Sequence, residues 1–231
     1  MTPVLAIDGP GGAGKGTVSK RLAETLGWHL LDSGALYRLV GVAARKRDVV
    51  FSNEAQLADI AGTLDVEFRI VAAGELVQTR LDGEPVDPLL RTETAGTDAS
   101  VLAAIPAVRA ALLQRQRDFA RPPGLVADGR DMGTVVFPEA VLKVFLTASV
   151  EERAQRRYKQ LKEQGLSANL RALREELEAR DRRDSERATA PLKPAHDAWV
   201  FDTTGVGIDQ VVAMIQERLA AALRSREPAV R

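Results

Sequence analysis

The chain has 231 residues, 45% hydrophobic and 28% charged, with 32 basic side chains against 32 acidic ones and no cysteine. That composition fits one large globular domain, or one carrying an insertion; it excludes disulfides and thiolate metal sites, and it leaves no net charge for general attraction to nucleic acid or an anionic membrane. No basic region precedes an apolar stretch at the amino end and no later run approaches membrane-spanning length, so a cytoplasmic protein with a small-molecule partner is expected.

The first element is a short apolar strand, Val4-Leu5-Ala6-Ile7, capped by Asp8 and followed by GPGGAGKGT at residues 9–17. A glycine-rich turn between a buried strand and a helix aims several backbone N–H groups inward at the positive helix end, which makes a cradle for phosphate oxygens. Lys15 adds a full charge there. The pattern G-x-x-x-x-G-K-[ST] is met at Gly9, Gly14 and Lys15, but Gly16 stands at the hydroxyl position and Thr17 comes one residue late. A direct bond from Thr17 to Mg²⁺ is therefore not implied. An ordinary glycine-rich turn is the plain alternative, and the order strand, loop, lysine, helix argues against it.

Thr17 to Leu26 places Val18, Leu22 and Leu26 on one helical face and stops at Gly27. Residues 28–31, Trp-His-Leu-Leu, read as a short buried strand, followed by Asp32-Ser33-Gly34 and an apolar helix from about Ala35. Strand, helix, strand at this spacing predicts parallel pairing in a doubly wound sheet, whose ligands bind beyond the carboxyl ends of the strands.

From Phe51 to about Arg109 the simple alternation stops. Leu64 to Val71 alternates apolar and polar, Gly74 supplies a turn and Leu76 to Leu81 alternates again, which predicts an antiparallel hairpin. A third short strand is expected around Val86, then helix from about Thr92, with Pro106 marking a break before a helix over Ala107 to Phe119. Core strands resume at residues 125–127, ending at Asp128, and at residues 142–146. Residues 151–187 then turn rich in arginine and glutamate, with Gly165 as a hinge-like interruption, and predict two polar helices. A last strand over residues 198–201 precedes an amphipathic helix from Ile208 to Leu223. His29 and His196 lie far apart in sequence, and both are assigned to structure.

Three further segments, DSGALYR at residues 32–38, ADGRDMGTVVFP at 127–138 and RDRRDSER at 180–187, together with GPGGAGKGT, resemble the bacterial cytidylate kinases. Taken singly, each has a plainer account: Ser33 as a helix N-cap, Asp128 as a turn residue, the arginines as a solvated helix face. The resemblance implies an α/β phosphate-loop kinase fold in one domain: a core of residues 1–32, 111–150 and 188–231, a monophosphate-binding subdomain over 33–110, and a helical lid over 151–187. It implies transfer of the γ-phosphoryl group of ATP to CMP, with dCMP as a second acceptor and Mg²⁺ as cofactor, by a protein expected to be monomeric.

By the same resemblance, Lys15, Arg130, Arg156 and Arg180 are the catalytic residues. Gly9, Gly11, Gly12, Ala13, Gly14, Lys15, Gly16 and Thr17 bind ATP with Arg153 and Arg157, while the loop over residues 203–206 lies near the donor adenine. Ser33, Arg38, Ser100, Arg109, Arg130, Asp131, Arg180, Asp184 and Arg187 bind CMP, and Asp128 holds Mg²⁺ through water. The residue chemistry agrees. The attacking atom is already a phosphate oxygen, so no general base is required, and the planar guanidinium meets phosphate oxygens two at a time. Cytosine presents an N4 donor that suits a carboxylate such as Asp131. Alternatives are another acceptor on the same fold (UMP, AMP or shikimate), a guanine-nucleotide switch, and a nucleic-acid module. The switch lacks its N-K-x-D tetrapeptide, and acidic residues interleave the arginine cluster that a nucleic-acid module would need.

Overall fold

A computed structural model describes residues 2–70, 77–90, 92–163 and 165–226, with the side chains of 67–70, 77–78 and 226 left aside. Two compact units emerge, one of residues 1–32 with 116–231 and the other of residues 33–115.

In chain order the first unit begins with β1 (Val4–Asp8), α1 (Lys15–Leu26) and β2 (His29–Asp32). The second unit holds α2 (Ser33–Lys46), α3 (Glu54–Thr63), the hairpin β3 (Val66–Ile70) and β4 (Val77–Leu81), β5 (Glu84–Pro85), a helical turn α4 (Asp87–Leu90) and α5 (Glu93–Leu102). Helix α6 (Pro106–Arg117) leads out of it. The first unit resumes with β6 (Leu125–Gly129), a π-helical turn over Met132–Val136, β7 (Leu142–Thr147), α7 (Val150–Glu163), α8 (Leu170–Glu186), β8 (Trp199–Asp202) and α9 (Ile208–Arg226).

Its five strands run in the order β2-β6-β1-β7-β8, every pair parallel. Parallel strands covered on both faces read as continuous apolar runs, which is why residues 4–7 and 125–127 show no alternation. Leu5, Ile7, Val126, Val144 and Leu146 meet Val18 and Leu22 of α1 and Val211, Ile215 and Leu219 of α9 in one buried cluster. Each such side chain taken fully out of water contributes roughly 1.5–3 kcal/mol. α1 ends as expected at Gly27, whose positive φ of 63° lets its N–H cap the carbonyls of Ala23 and Glu24.

In the second unit, Asn53 and Thr92 cap α3 and α5 by accepting from the amides of Gln56 and Ala95. β3, β4 and β5 form a separate antiparallel sheet. The expected turn at Gly74, with Val71 and Leu76, lies outside the described residues.

Some expectations need correction. β2 is an edge strand rather than a buried one, because among the described residues it pairs only with β6 and keeps just Leu31 inside. The following helix starts at Ser33, two residues early, and the third strand of the small sheet is Glu84–Pro85, short of Val86. Helix α3 has no counterpart among those expectations, although Leu57, Ile60, Ala61 and Leu64 are buried at helical spacing.

Candidate functional site

The phosphate loop of the first unit is built by close approach. At Gly9, φ is 146° and a Cβ would lie 1.9 Å from the Leu146 carbonyl oxygen on β7, so no side chain fits. Gly14, at φ 89°, is the N-cap of α1. Lys15 opens that helix, 5% exposed, and its Nζ donates to the Pro10 carbonyl oxygen at 2.9 Å. Gly16 and Thr17 are exposed at the same helix end, whereas Ala13 is buried.

Positive charge converges on this loop. Asp128, at the end of β6 beside β1, stands 3.9 Å from Lys15, and a Cβ on Gly16 would lie 3.6 Å from its carboxylate. A Cβ on Gly11 would lie 3.7 Å from Arg130 Nη2 and 3.8 Å from Arg180 Nη1. Arg130 follows β6, and its Nε donates at 3.2 Å to Asp184, which is buried on α8 four residues past Arg180. The Lys15 ammonium is pushed down to about 7, chiefly by burial and then by Arg130 and Arg180, while Asp128 and Asp8 oppose the shift. Arg187, buried at the end of α8, donates from Nε to the Asp184 carbonyl oxygen.

The arginines of α7 differ sharply from one another. Arg153 is buried and fully engaged: it donates to the carbonyl oxygens of Ala148 and Gly11, both at 3.0 Å, and makes a two-point pair with Asp181 of α8 at 3.1 and 2.5 Å. Arg156 is half-buried and holds Glu152 and Thr203, the latter through both hydroxyl and carbonyl oxygens. Thr203, after β8, donates to the carbonyl oxygens of Ala13 and Thr147, which ties its loop to the phosphate loop. Arg157 reaches Gln160 on its own helix. Arg182 and Arg183 are exposed.

Asp131 precedes the π-helical turn and is 4% exposed. Asp8, also buried, accepts from the amides of Met132 and Gly133, each at 2.8 Å. Burial pushes the Asp8 carboxyl up to about 7 and Asp131 adds to the rise, while the two amides and Lys15 act against it. Asp8 and Asp181 are contacts that the sequence motifs do not mark, the signal for Asp8 being an acidic residue at the end of a buried strand directly before the glycines, whereas Thr203 falls in the loop over residues 203–206 expected near the donor adenine.

The remaining candidates stand in the second unit. Ser33 and Arg38 are on α2, Ser100 on α5 and Arg109 on α6; the two serines and Arg109 are buried, and Arg38 is half-buried. Arg109 donates to the Tyr37 hydroxyl and to the Ala103 carbonyl oxygen, at 3.5 and 3.4 Å.

The sequence profile of the cytidylate kinases matches residues 5–221. The chain belongs to the cytidylate kinase family. A cytidylate kinase of Pseudomonas entomophila is 57% identical over 220 residues, 95% of this chain and 96% of that one. One from Aeromonas hydrophila is 56% identical over 215 residues, 93% of each chain. A solved structure of an uncharacterized protein from Eubacterium ventriosum aligns with a TM-score of 0.54 at 14% identity, covering 96% of this chain and 99% of that one, a likeness of fold alone. The cytidylate kinases are kinases, and a parallel sheet carrying a phosphate loop at its carboxyl edge is a scaffold suited to phosphoryl transfer. Among the described residues no single helix is long and apolar enough to cross a membrane.

Proposed function

We propose that this member of the cytidylate kinase family uses the loop over residues 9–17 to hold the β- and γ-phosphates of ATP. The reaction is transfer of the γ-phosphoryl group to CMP, giving ADP and CDP, with dCMP as a second acceptor. The observation that carries the reading is the convergence of three cations from separate segments on the loop: Arg130 and Arg180 stand beside Gly11 and both act on the charge of Lys15. Like charges gathered in a partly dry site repel one another, and a polyphosphate relieves that repulsion while binding.

The acceptor brings its own nucleophilic oxygen, so these residues position and neutralise rather than move protons. Lys15 and the loop amides grip the donor. Arg130 and Arg180 face the charge that spreads over the moving group, and Arg156, tied to Thr203, brings a third guanidinium to the loop side. Arg157 is assigned to the donor phosphates by the family pattern. Arg153 is assigned there too, yet its engagement with Gly11 and Asp181 supports a supporting part in which it braces the loop. In the first unit Asp131 reads the cytosine N4 amine, while Asp184 and Arg187 take the ribose. In the second unit Ser33, Arg38, Ser100 and Arg109 are assigned to the acceptor, and we read residues 33–110 as the monophosphate-binding subdomain and 151–187 as the lid.

Mg²⁺ keeps most of its waters and takes few carboxylates. Asp128 beside Gly16, with Thr17 exposed at the same helix end, fits that requirement, and the ion when bound supplies charge neutralisation on the phosphates.

The test is ADP release with ATP and, in turn, CMP, dCMP, UMP, AMP and GMP. Preference for CMP and dCMP is expected. Best activity on another acceptor would keep the kinase and remove the Asp131 assignment, and no acceptor-dependent release would remove the phosphoryl-transfer reading.

A further inference from the structure

Thr203 is buried, and its backbone is fixed independently of its hydroxyl. Its N–H donates to the Thr147 carbonyl oxygen at 2.8 Å, directly after the last β7–β8 pair, and its own carbonyl oxygen accepts from the Val206 amide at 3.0 Å. The hydroxyl is thereby delivered to a set place. Its one proton is shared between the carbonyl oxygens of Thr147, at 3.0 Å, and Ala13 of the phosphate loop, at 3.3 Å, while its oxygen accepts from Arg156 Nη1 at 3.0 Å. Nη2 of the same guanidinium donates to the Thr203 carbonyl oxygen at 2.6 Å, and Nε donates to Glu152, one turn back on α7, at 2.9 Å. All three guanidinium nitrogens are held, two of them by one residue, and Nη1 ends 3.8 Å from where a Cβ on Gly14 would lie.

We propose that Thr203 is a positioning residue for phosphoryl transfer, setting the plane and direction of the Arg156 guanidinium against the phosphate loop; this rests on Arg156 as a cation that faces the moving group. A long arginine side chain left to itself spreads over many rotamers, and ordering it during the reaction would raise the barrier. Here the ordering is complete once the chain has folded. A hydroxyl suits the task because one atom accepts from a guanidinium N–H and donates to a loop carbonyl. Arg156 is thus tied to Ala13, and charge and cradle keep one spacing. Valine has the shape of threonine but turns a methyl toward Nη1. Nη2 keeps the backbone carbonyl, so the guanidinium stays nearby yet pivots about that bond.

The experiment measures the single-turnover rate of phosphoryl transfer from saturating ATP to CMP, with the KM for CMP, in wild type, Thr203→Val, Thr203→Ser, Arg156→Ala and the double variant Thr203→Val with Arg156→Ala. Thr203→Val should slow transfer about tenfold or more, with the CMP KM within about twofold of wild type, since general loosening of the fold would move both. Thr203→Ser keeps the hydroxyl and should stay within about threefold of the wild-type rate. In the Arg156→Ala background the valine should cost no further rate, because the two residues act as one unit. An unchanged or faster rate in Thr203→Val, a loss carried by the CMP KM, a serine variant as slow as the valine one, or a second loss added to that of Arg156→Ala each overturns the proposal. An unchanged rate in Arg156→Ala removes that arginine from the transfer step, and the proposal with it. If Thr203→Val does not fold, Thr203→Ala decides, since it places no methyl group beside Ala13 and keeps both backbone bonds. The same slowing is expected there, and a wild-type rate overturns the proposal.

Discussion

Lys15 and Asp128 approach to 3.9 Å with both side chains nearly buried, and this separation is too long for a tight ion pair. The lysine instead spends its short contact on the Pro10 carbonyl oxygen. It lies in a dry site beside two guanidinium groups with partial compensation from two carboxylates, which is why its proton is held weakly.

Nucleotide binding should therefore take up protons. With its pKa near 7, Lys15 is largely neutral at pH 8 in the free protein, and an incoming phosphate raises that value. Calorimetric titration of magnesium-free ATP at pH 8, in two buffers of different ionisation enthalpy, should show net uptake approaching one proton. Net release, or heats independent of buffer, would contradict a depressed Lys15.

Replacement of Lys15 by methionine should separate activity from stability. Loss of its phosphate contact should cut turnover by about 10²–10³-fold or more. Between pH 7 and the ordinary lysine value, the unfolded chain holds a proton that the native one does not, so stability rises with pH across that window. Below it the native protein carries the full cost of a buried charge. The melting temperature of Lys15→Met at pH 7 should equal or exceed that of wild type, and a large fall would mean that the ammonium stabilises the fold.

Arg153 and Arg156 are three residues apart yet should behave oppositely. Arg153→Ala leaves Asp181 and the Gly11 carbonyl without their partner, at a cost on the order of 2 kcal/mol given that Asp181 is partly open to solvent. Arg156→Ala should leave the melting temperature within a few degrees and chiefly slow single-turnover phosphoryl transfer. Melting curves and rapid-quench rates on the two variants check this, and matching profiles would dissolve the distinction.

Gly9→Ala should yield no folded protein, since its Cβ would meet the Leu146 carbonyl oxygen, a backbone atom in the sheet that has no room to yield. Soluble yield and a cooperative melt are the readouts; a normal melt would show that the loop can move away from β7.

What could be read in the sequence follows the range of the interaction. The phosphate loop was legible because its demands are local: glycines at fixed spacing, a lysine, an apolar strand before and a helical face after. The parallel sheet follows from the order of elements, but an apolar run does not say whether a second neighbour will arrive, and β2 lies at the sheet's edge. Helix α3 hid in a stretch where the hairpin pattern dominated. The arginine run was visible as an excess, but nothing in its spacing separates Arg153, sunk against Gly11, from exposed Arg182 and Arg183. The grip of Asp8 on Met132 and Gly133 was out of reach, because its partners are backbone amides more than half a chain away.

The same distance bears on how the molecule comes into being. β1 sits at the centre of its sheet, with Val4 beside Leu125 and Leu5 beside Leu142. As the chain leaves the ribosome, its opening strand has no hydrogen-bonding neighbour until β6 has been synthesised, and non-local pairing of this kind is slow. Residues 33–115, a compact unit of their own, are all synthesised before β6. The nucleotide cradle is thus translated well before β6 and β7 and completed only after them, so a nascent chain stays unable to grip ATP until its core is built.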